Sequence, residues 1–264
     1  MIFKAFMTNV IIIETNFEQG RLEETLALCE AADADCCGVV KQAVKTITPS
    51  TYIGQGKVEE VKLVAESTEA DMIIFDGELS PSQTLNISDV VGKPVITRTN
   101  LILDIFARRA RSSEGKVLVE LAQLKYIYPR LKGRGDSLSR LGGGIGTRGP
   151  GETKLETDRR HIKERIRFLE KSLETIEKRR KLYESRRKKN GVFSVALVGY
   201  TNTGKSTLIN RLCKSDVETM NALFATLDPT SRKAYVNGKI INVTDTVGLI
   251  KELPAELERA FAST

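Results

Sequence analysis

The chain has 264 residues and a formal net charge of +7, with apolar and charged contents ordinary for a folded protein. This length predicts two domains, or one domain with a long extension. No apolar run approaches the roughly 20 residues of a membrane span, and the N-terminus lacks a secretory signal pattern, so we expect a cytoplasmic protein. The four cysteines lack metal-ligand spacing, which argues against a zinc site.

The charge is distributed unevenly along the chain. Residues 101–190 contain 25 Lys and Arg against 12 Asp and Glu, whereas the remainder contains 16 basic and 22 acidic residues. A basic segment beside acidic ones is typical of proteins that bind polyanions, above all nucleic acid.

Residues 1–100 alternate short apolar runs with segments of helical periodicity. Strands are predicted by "NVIIIET", "GVVKQAVKTI", "DMIIF" and "KPVI", and helices by "EETLALCEAA", "KVEEVKLVAES" and "SQTLNISDVV". This alternation predicts a parallel sheet with helices on its faces. The "GQGK" stretch lacks the spacing of a phosphate loop and is interpreted as a turn that precedes a helix.

Residues 101–190 predict a helical hairpin. The first helix has an apolar face, and Pro129 must end or kink it. A capping box from Thr153 to Glu156 predicts the start of the second helix. Its coiled-coil seam has one interruption, at Arg180. The predicted apolar faces comprise Val117, Leu121, Leu124, Tyr128 and Leu131 in the first helix, and Ile162, Ile166, Leu169, Leu173, Ile176 and Tyr183 in the second.

The loop at the tip of this hairpin is rich in glycine and contains a G-x-G-x-x-G pattern that begins at Gly144. A dinucleotide-binding loop follows a buried strand, whereas this one follows basic and polar residues, and Pro150 removes an N–H donor. Two interpretations remain open: a flexible connector, or a basic probe whose glycines let the backbone approach RNA. The candidate RNA-binding residues are Arg140, Gly142, Gly143, Gly144, Arg148 and Lys154.

Residues 191–264 begin with a phosphate-loop motif, G-x-x-x-x-G-K-S, between an apolar strand, "FSVALVG", which we expect to be buried, and a helix. Backbone N–H groups of such a loop bind phosphates at a helix N-terminus. Lys205 would reach the β- and γ-phosphates, and the Ser206 hydroxyl would bind Mg²⁺. The predicted nucleotide-binding residues of the loop are Gly199, Tyr200, Thr201, Asn202, Thr203, Gly204, Lys205, Ser206 and Thr207.

A second phosphate-site element, D-x-x-G, follows a predicted strand pair that turns at Asn237-Gly238. Its residues are Asp245, Thr246, Val247 and Gly248. The Asp would approach the Mg²⁺, and the glycine N–H would sense a γ-phosphate. The segment between the two motifs must supply a threonine hydroxyl to Mg²⁺, and residue type alone allows Thr226 or Thr230.

The sequence resembles the HflX family of ribosome-associated GTPases over most of its length. The resemblance is carried by "FDGELSPSQTLNI", "LILDIFARRARSSEGK", "VELAQLKYIYPRL", "LGGGIGTRGPGETKLETDRR", "VGYTNTGKSTL", "LFATLDPTSR" and "DTVGLI". It implies GTP and GDP as ligands, Thr226 as a Mg²⁺ ligand that acts in catalysis with Lys205, and a ribosome-binding N-terminal half. It further implies that the tip loop enters the large ribosomal subunit near its peptidyl-transferase region. By the same resemblance, the nucleotide is lined by Phe224, Ala225, Thr226, Leu227 and Asp228.

The sequence departs from the family at a few positions. Thr97 stands where aspartate is expected and Val117 where glutamine is usual, and Leu249, where many GTPases have glutamine, implies slow intrinsic turnover. Only 16 residues follow Gly248, and no N-K-x-D motif for base recognition is among them, so we expect truncation within the GTPase domain.

We therefore predict three parts: an α/β domain over 1–100, a basic hairpin over 101–190, and a partial phosphate-loop GTPase domain over 191–264. The predicted protein is a monomer that binds the large (50S) ribosomal subunit through rRNA and splits or rescues stalled ribosomes. One alternative is a non-enzymatic RNA- or ribosome-binding module. Another is an ATPase of the same loop class, because base recognition is missing.

Overall fold

The computed structural model describes residues 8–131, 150–189, 191–201, 203–213, 224, 231–236, 238–246 and 248. They fall into two compact units. The first combines residues 1–105 with 127–159, and the second combines 106–126 with 160–264. Among the described residues, no helix combines the length and the apolar character needed to cross a membrane.

The first unit is built on a four-stranded sheet in the order β2-β1-β3-β4, and all of its strand pairs are parallel. The strands are β1 (Thr8–Glu14), β2 (Ala34–Lys41), β3 (Met72–Asp76) and β4 (Val95–Thr97), and the intervening helices are α1 (Arg21–Ala31), α2 (Gln55–Ser67) and α3 (Pro81–Val91). The predicted parallel α/β fold is confirmed. The extent predicted for "GVVKQAVKTI" is wrong, because β2 ends at Lys41, opposite the last residue of β1.

The core of this unit lies between the sheet and the helices α2 and α3. Ile11, Ile13, Ile73 and Phe75 of the sheet are completely buried there, together with apolar residues of those helices. All of β1 from Val10 to Glu14 is buried, as expected for a parallel strand with helices on both faces.

Two helices of this unit begin with reciprocal side-chain caps. At α3, Ser80 Oγ accepts a hydrogen bond from Gln83 N (3.2 Å) and Gln83 Oε1 accepts one from Ser80 N (2.9 Å). At α4 (Arg98–Arg109), Thr97 Oγ1 accepts from Asn100 N (3.4 Å) and Asn100 Oδ1 accepts from Thr97 N (3.2 Å). Thr97, an unexpected residue for the family, therefore still caps a helix.

The predicted hairpin consists of α5 (Ser113–Arg130) and α6 (Pro150–Lys189). Glu114, near the start of α5, pairs with Arg180, whereas Lys125, farther along α5, pairs with Glu170. The two helices therefore run antiparallel. The first helix ends one residue after Pro129, as predicted.

The start predicted for the second helix is wrong. α6 begins at Pro150 and not at Thr153, because a proline at the first helical position has no N–H that needs a partner.

The apolar seam of α6 holds through Ile176 and then fails. Leu169 is buried and its seam neighbours are half-buried, but Tyr183 is 58% exposed. A straight α-helix drifts relative to a seven-residue repeat, and Arg180 has already ended the apolar stripe. In α5 the best-buried side chains are Leu118, Val119, Leu121, Ala122 and Tyr126, so its covered face differs in part from the predicted one.

The second unit also contains a three-stranded sheet in the order β5-β7-β6. Its elements are β5 (Phe193–Leu197), α7 (Lys205–Cys213), β6 (Ser231–Val236) and β7 (Lys239–Asp245). Val236 pairs with Lys239 in an antiparallel ladder, which confirms the two-residue turn, and Gly238 has φ +76°. The expected burial of β5 is wrong: Phe193 is 65% exposed. In the described part of the chain β5 pairs only with β7.

A buried ion cluster joins three elements of the first unit. Arg21 Nε of α1 lies 3.1 Å from both carboxylate oxygens of Asp76, the last residue of β3. Arg98 Nη1, at the start of α4, lies 3.5 Å from Asp76 Oδ1 and donates to Thr25 Oγ1 at 2.7 Å. Arg98 Nη2 lies 3.1 Å from Glu24 Oε1. The Asp76 carboxylate therefore compensates two buried guanidinium groups.

Replacement of Asp76 by alanine should destabilise the first unit by about 3–5 kcal/mol, because it removes the carboxylate shared by two buried guanidinium groups and leaves Glu24 as the carboxylate beside Arg98. Urea unfolding followed by circular dichroism measures this loss. Asp89→Ala, which removes an exposed carboxylate in α3, is the matched control and should change stability by less than about 0.5 kcal/mol. Equal unfolding curves for the two variants would contradict the role assigned to the cluster.

Candidate nucleotide-binding site

The two phosphate-site motifs lie at the same edge of the second unit's sheet. β5 and β7 are parallel neighbours, and Leu197 pairs with Asp245, so both strands end side by side. The loop after β5 carries the G-x-x-x-x-G-K-S motif, and Asp245 begins the D-x-x-G motif. The carboxyl edge of parallel strands is where α/β proteins bind ligands.

The backbone of the phosphate loop is shaped by its last glycine and one threonine. Gly204 has φ +80°, a conformation that favours glycine, and its carbonyl accepts the hydrogen bond from Leu208 N (2.9 Å) that opens α7. Thr203 Oγ1 donates to Tyr200 O at 2.7 Å and so closes the loop on itself. The loop therefore precedes the positive end of the α7 dipole, a position that favours anions.

The Lys205 side chain folds back across this loop. Its Nζ donates to Gly199 O at 2.9 Å and to Tyr200 O at 2.5 Å. Burial lowers the pKa of the Lys205 ammonium, and the nearby Asp245 carboxylate acts in the opposite direction. Among the described residues, the hydrogen-bond acceptors of Lys205 Nζ are these two neutral carbonyls. A phosphate oxygen would make a stronger hydrogen bond than either carbonyl, because an ionised acceptor binds an ammonium more tightly.

Ser206 and Asp245 form the candidate metal-binding pair. Ser206 Oγ donates to Asp245 Oδ2 at 3.0 Å, and Asp245 is only 3% exposed. In the described part of the chain, the second carboxylate oxygen, Oδ1, is buried and has no hydrogen-bond partner. A hydroxyl beside an unsatisfied carboxylate oxygen fits the all-oxygen coordination that Mg²⁺ prefers.

The D-x-x-G segment packs directly on the phosphate loop. A Cβ added to Gly248 would lie 2.6 Å from Thr201 Cγ2 and 2.8 Å from Thr201 Cα, so only glycine fits at this position. Thr246 Oγ1 donates to Leu197 O at 2.7 Å and ties the exit of β7 to the exit of β5. The described residues of the two motifs therefore lie in contact with each other.

Phe224 is the one residue that the structure describes between the end of α7 and the start of β6. Its side chain is 2% exposed, its φ is +57°, and its ring meets Phe106 edge-on with 4.5 Å between ring centroids. The family resemblance implied that Phe224 lines the nucleotide, and the sequence did not predict Phe106 as its neighbour. The apolar run "LILDIF" could have signalled a buried helix here, but it does not identify the residue that packs on Phe106.

Several predicted site residues lie outside the described residues, and their assignments stay predictions. In the nucleotide site these are Asn202, Ala225, Thr226, Leu227, Asp228 and Val247, and in the tip loop they are Arg140, Gly142, Gly143, Gly144 and Arg148. Lys154 belongs to the first turns of α6, and Thr207 to the first turn of α7.

Three family models match the chain in succession. They are described as GTP-binding GTPase N-terminal over residues 19–107, GTP-binding GTPase Middle Region over residues 109–187, and 50S ribosome-binding GTPase over residues 194–264.

Individual relatives agree with these models. The chain is 53% identical to a GTPase HflX of Caldanaerobacter subterraneus subsp. tengcongensis over 97% of its own length, and 43% identical to a GTPase HflX of Escherichia coli over 96%. It spans 60% and 61% of those two relatives, respectively.

A solved structure supports the same relationship. The GTP-binding protein of the archaeon Sulfolobus solfataricus in complex with GDP is 28% identical, with a TM-score of 0.53 over 97% of this chain and 65% of its own. The resemblance drawn from the sequence is therefore confirmed: the chain belongs to the HflX family of GTPases.

Proposed function

We propose that this chain supplies the phosphate-binding and metal-binding half of a GTPase that binds the large ribosomal subunit and splits or rescues stalled ribosomes. The observation that carries the proposal is the convergence of Lys205, Ser206 and Asp245 at one sheet edge. Two comparisons support it: a structural neighbour was solved with GDP, and the family model over 194–264 is described as a 50S ribosome-binding GTPase.

Each residue of the site has a separate role in the hydrolysis of GTP to GDP and phosphate. Backbone N–H groups of the loop hold the phosphates, and Lys205 Nζ exchanges its two carbonyl acceptors for the β- and γ-phosphate oxygens. Ser206 and Asp245 would hold Mg²⁺, whose charge offsets that of the phosphates. Leu249 lacks a polar group that could orient water, so turnover is slow until the ribosome completes the site.

Ribosome binding is assigned to the basic hairpin. Residues 101–190 hold the excess of positive charge, and neutralised phosphates release counterions, so affinity for rRNA falls with salt. A non-enzymatic RNA-binding module is the alternative. It predicts association with the large subunit that does not depend on nucleotide, and cosedimentation with and without GTP separates the two.

The first test of the nucleotide site replaces Lys205 by alanine. Affinity for a fluorescent GTP analogue should fall about a hundredfold, because a charge-assisted contact to phosphate is lost. Lys239→Ala removes an exposed lysine at the start of β7 and should bind like the parent chain. Competition with unlabelled GTP and ATP measures base preference in the same assay. Unchanged affinity in the Lys205 variant would refute the site.

A second test uses the close approach of Gly248 to Thr201. Gly248→Ala should push the D-x-x-G segment off the phosphate loop, at a cost of roughly 1–3 kcal/mol for overpacking. Amide hydrogen exchange over residues 193–206 should accelerate in this variant. Gly56→Ala adds a Cβ with no atom within 4 Å and serves as the control. If residues 193–206 exchanged at the parental rate, the two motifs would not be in contact.

The two glycine-rich loops should be separable. Replacing residues 142–146 with a Ser-rich linker keeps flexibility but adds side chains where backbone would approach rRNA. Affinity for GTP should stay unchanged, while binding of large subunits, measured by sedimentation from low to physiological salt, should weaken. The opposite pattern, lost GTP affinity with intact ribosome binding, would show that the tip loop is a nucleotide site.

A further inference from the structure

The C-terminal end of α6 concentrates positive charge. Residues 178–189 contain eight Lys and Arg and one Glu, a surplus of seven in twelve residues. Cations favour a helix C-terminus because of the helix dipole, but that effect fades beyond the last turn. The surplus extends over three turns, so the dipole alone does not account for it.

One face of this end of α6 is covered by protein. Arg180 pairs with Glu114 of α5, and Leu169, three turns earlier on the same face, is buried. The seam prediction placed Tyr183 on this covered face as well, but the structure turns it toward solvent.

A second face forms a cationic-aromatic stripe. It consists of Arg179, Leu182, Tyr183 and Arg186. These residues follow each other at spacings of three, one and three positions, so they lie together on the helix surface. Leu182 is 51% and Tyr183 58% exposed, and both flanking arginines are exposed. Among the residues that the structure describes, neither arginine has an ion pair.

We infer that this stripe binds the phosphate backbone of unpaired RNA, with the Tyr183 ring stacked on a base. A guanidinium group binds phosphate bidentately, and Arg179 and Arg186 place one such group on each side of the ring. Exposed aromatic rings between cations are the usual means of holding single-stranded nucleic acid, because every base has a face that can stack.

Charge selects RNA over an acidic protein surface as the occupant. The same end of α6 also exposes Lys178, Lys181 and Lys189, against one exposed carboxylate, Glu184. Protein–protein interfaces are depleted in lysine, whereas polyanion-binding surfaces accumulate it. The stripe lies at the end of α6 opposite the tip loop, so it is a separate contact. The inference rests on the proposed function, since rRNA supplies the unpaired strand.

The test compares four variants of the full chain with the parent. Arg179→Gln/Arg186→Gln removes both stripe charges, Tyr183→Ala removes the ring, and Tyr183→Phe keeps it. Lys163→Gln/Arg167→Gln removes two exposed charges elsewhere on α6 and is the matched control. Binding is measured with a fluorescein-labelled 16-nucleotide oligouridylate and, separately, with purified large ribosomal subunits.

The arginine double variant should bind the oligonucleotide about tenfold more weakly, and its log–log salt slope should fall by about 1.4, or 0.7 for each lost phosphate contact. Tyr183→Ala should lose about fivefold to a hundredfold in affinity, as expected for one stacked base, while Tyr183→Phe binds like the parent. The control double variant should stay within about twofold of the parent chain, because it leaves the stripe intact.

Three outcomes would overturn the inference. The first is parental binding by both the arginine variant and Tyr183→Ala, and the second is an equal loss in the control, which would mean diffuse electrostatics. The third is competition by polyglutamate that is as strong as competition by RNA, which would identify an acidic protein as the ligand. Failure of the parent chain to bind large subunits would refute the proposed function instead, and the oligonucleotide would still test the stripe.

Discussion

The parallel pairing of β5 with β7 is the constraint on which the nucleotide site depends. It aligns Leu197 with Asp245, so that the phosphate loop and the D-x-x-G segment leave the sheet side by side. The hydrogen bond from Ser206 to Asp245 and the packing of Gly248 on Thr201 follow from that alignment. Residues 39 or more positions apart are thereby brought within hydrogen-bonding distance, and any shift in register would separate them.

The buried arginines of the first unit and the exposed cations of α6 have different roles. In the first unit, Arg21 and Arg98 are buried around one carboxylate, where they can serve the fold but are closed to ligands. Along the described part of α6 most cations are exposed, and Arg165 and Arg180 pair with carboxylates of α5. Guanidinium groups are thus structural where they are dry and available to a polyanion where they face water.

Phe106 and Phe224 form an aromatic contact within the second unit, with their ring centroids 4.5 Å apart. Phe224 adopts a positive φ, which costs energy for a residue with a side chain, and its burial against Phe106 offsets that cost.

By itself, the sequence determined the local features: the period of each helix and strand, the turn at Asn237-Gly238, and the identity of both phosphate motifs. These follow from residue type and spacing within a few positions, so they need no knowledge of distant neighbours. Only the tertiary structure decided that Tyr183 leaves the seam, that β5 is exposed, that Thr97 caps α4 in place of aspartate, and that Phe224 packs on Phe106. Each of these depends on what lies opposite a side chain in space. Periodicity gives the direction of a side chain around its own helix or strand, but not the element that covers it.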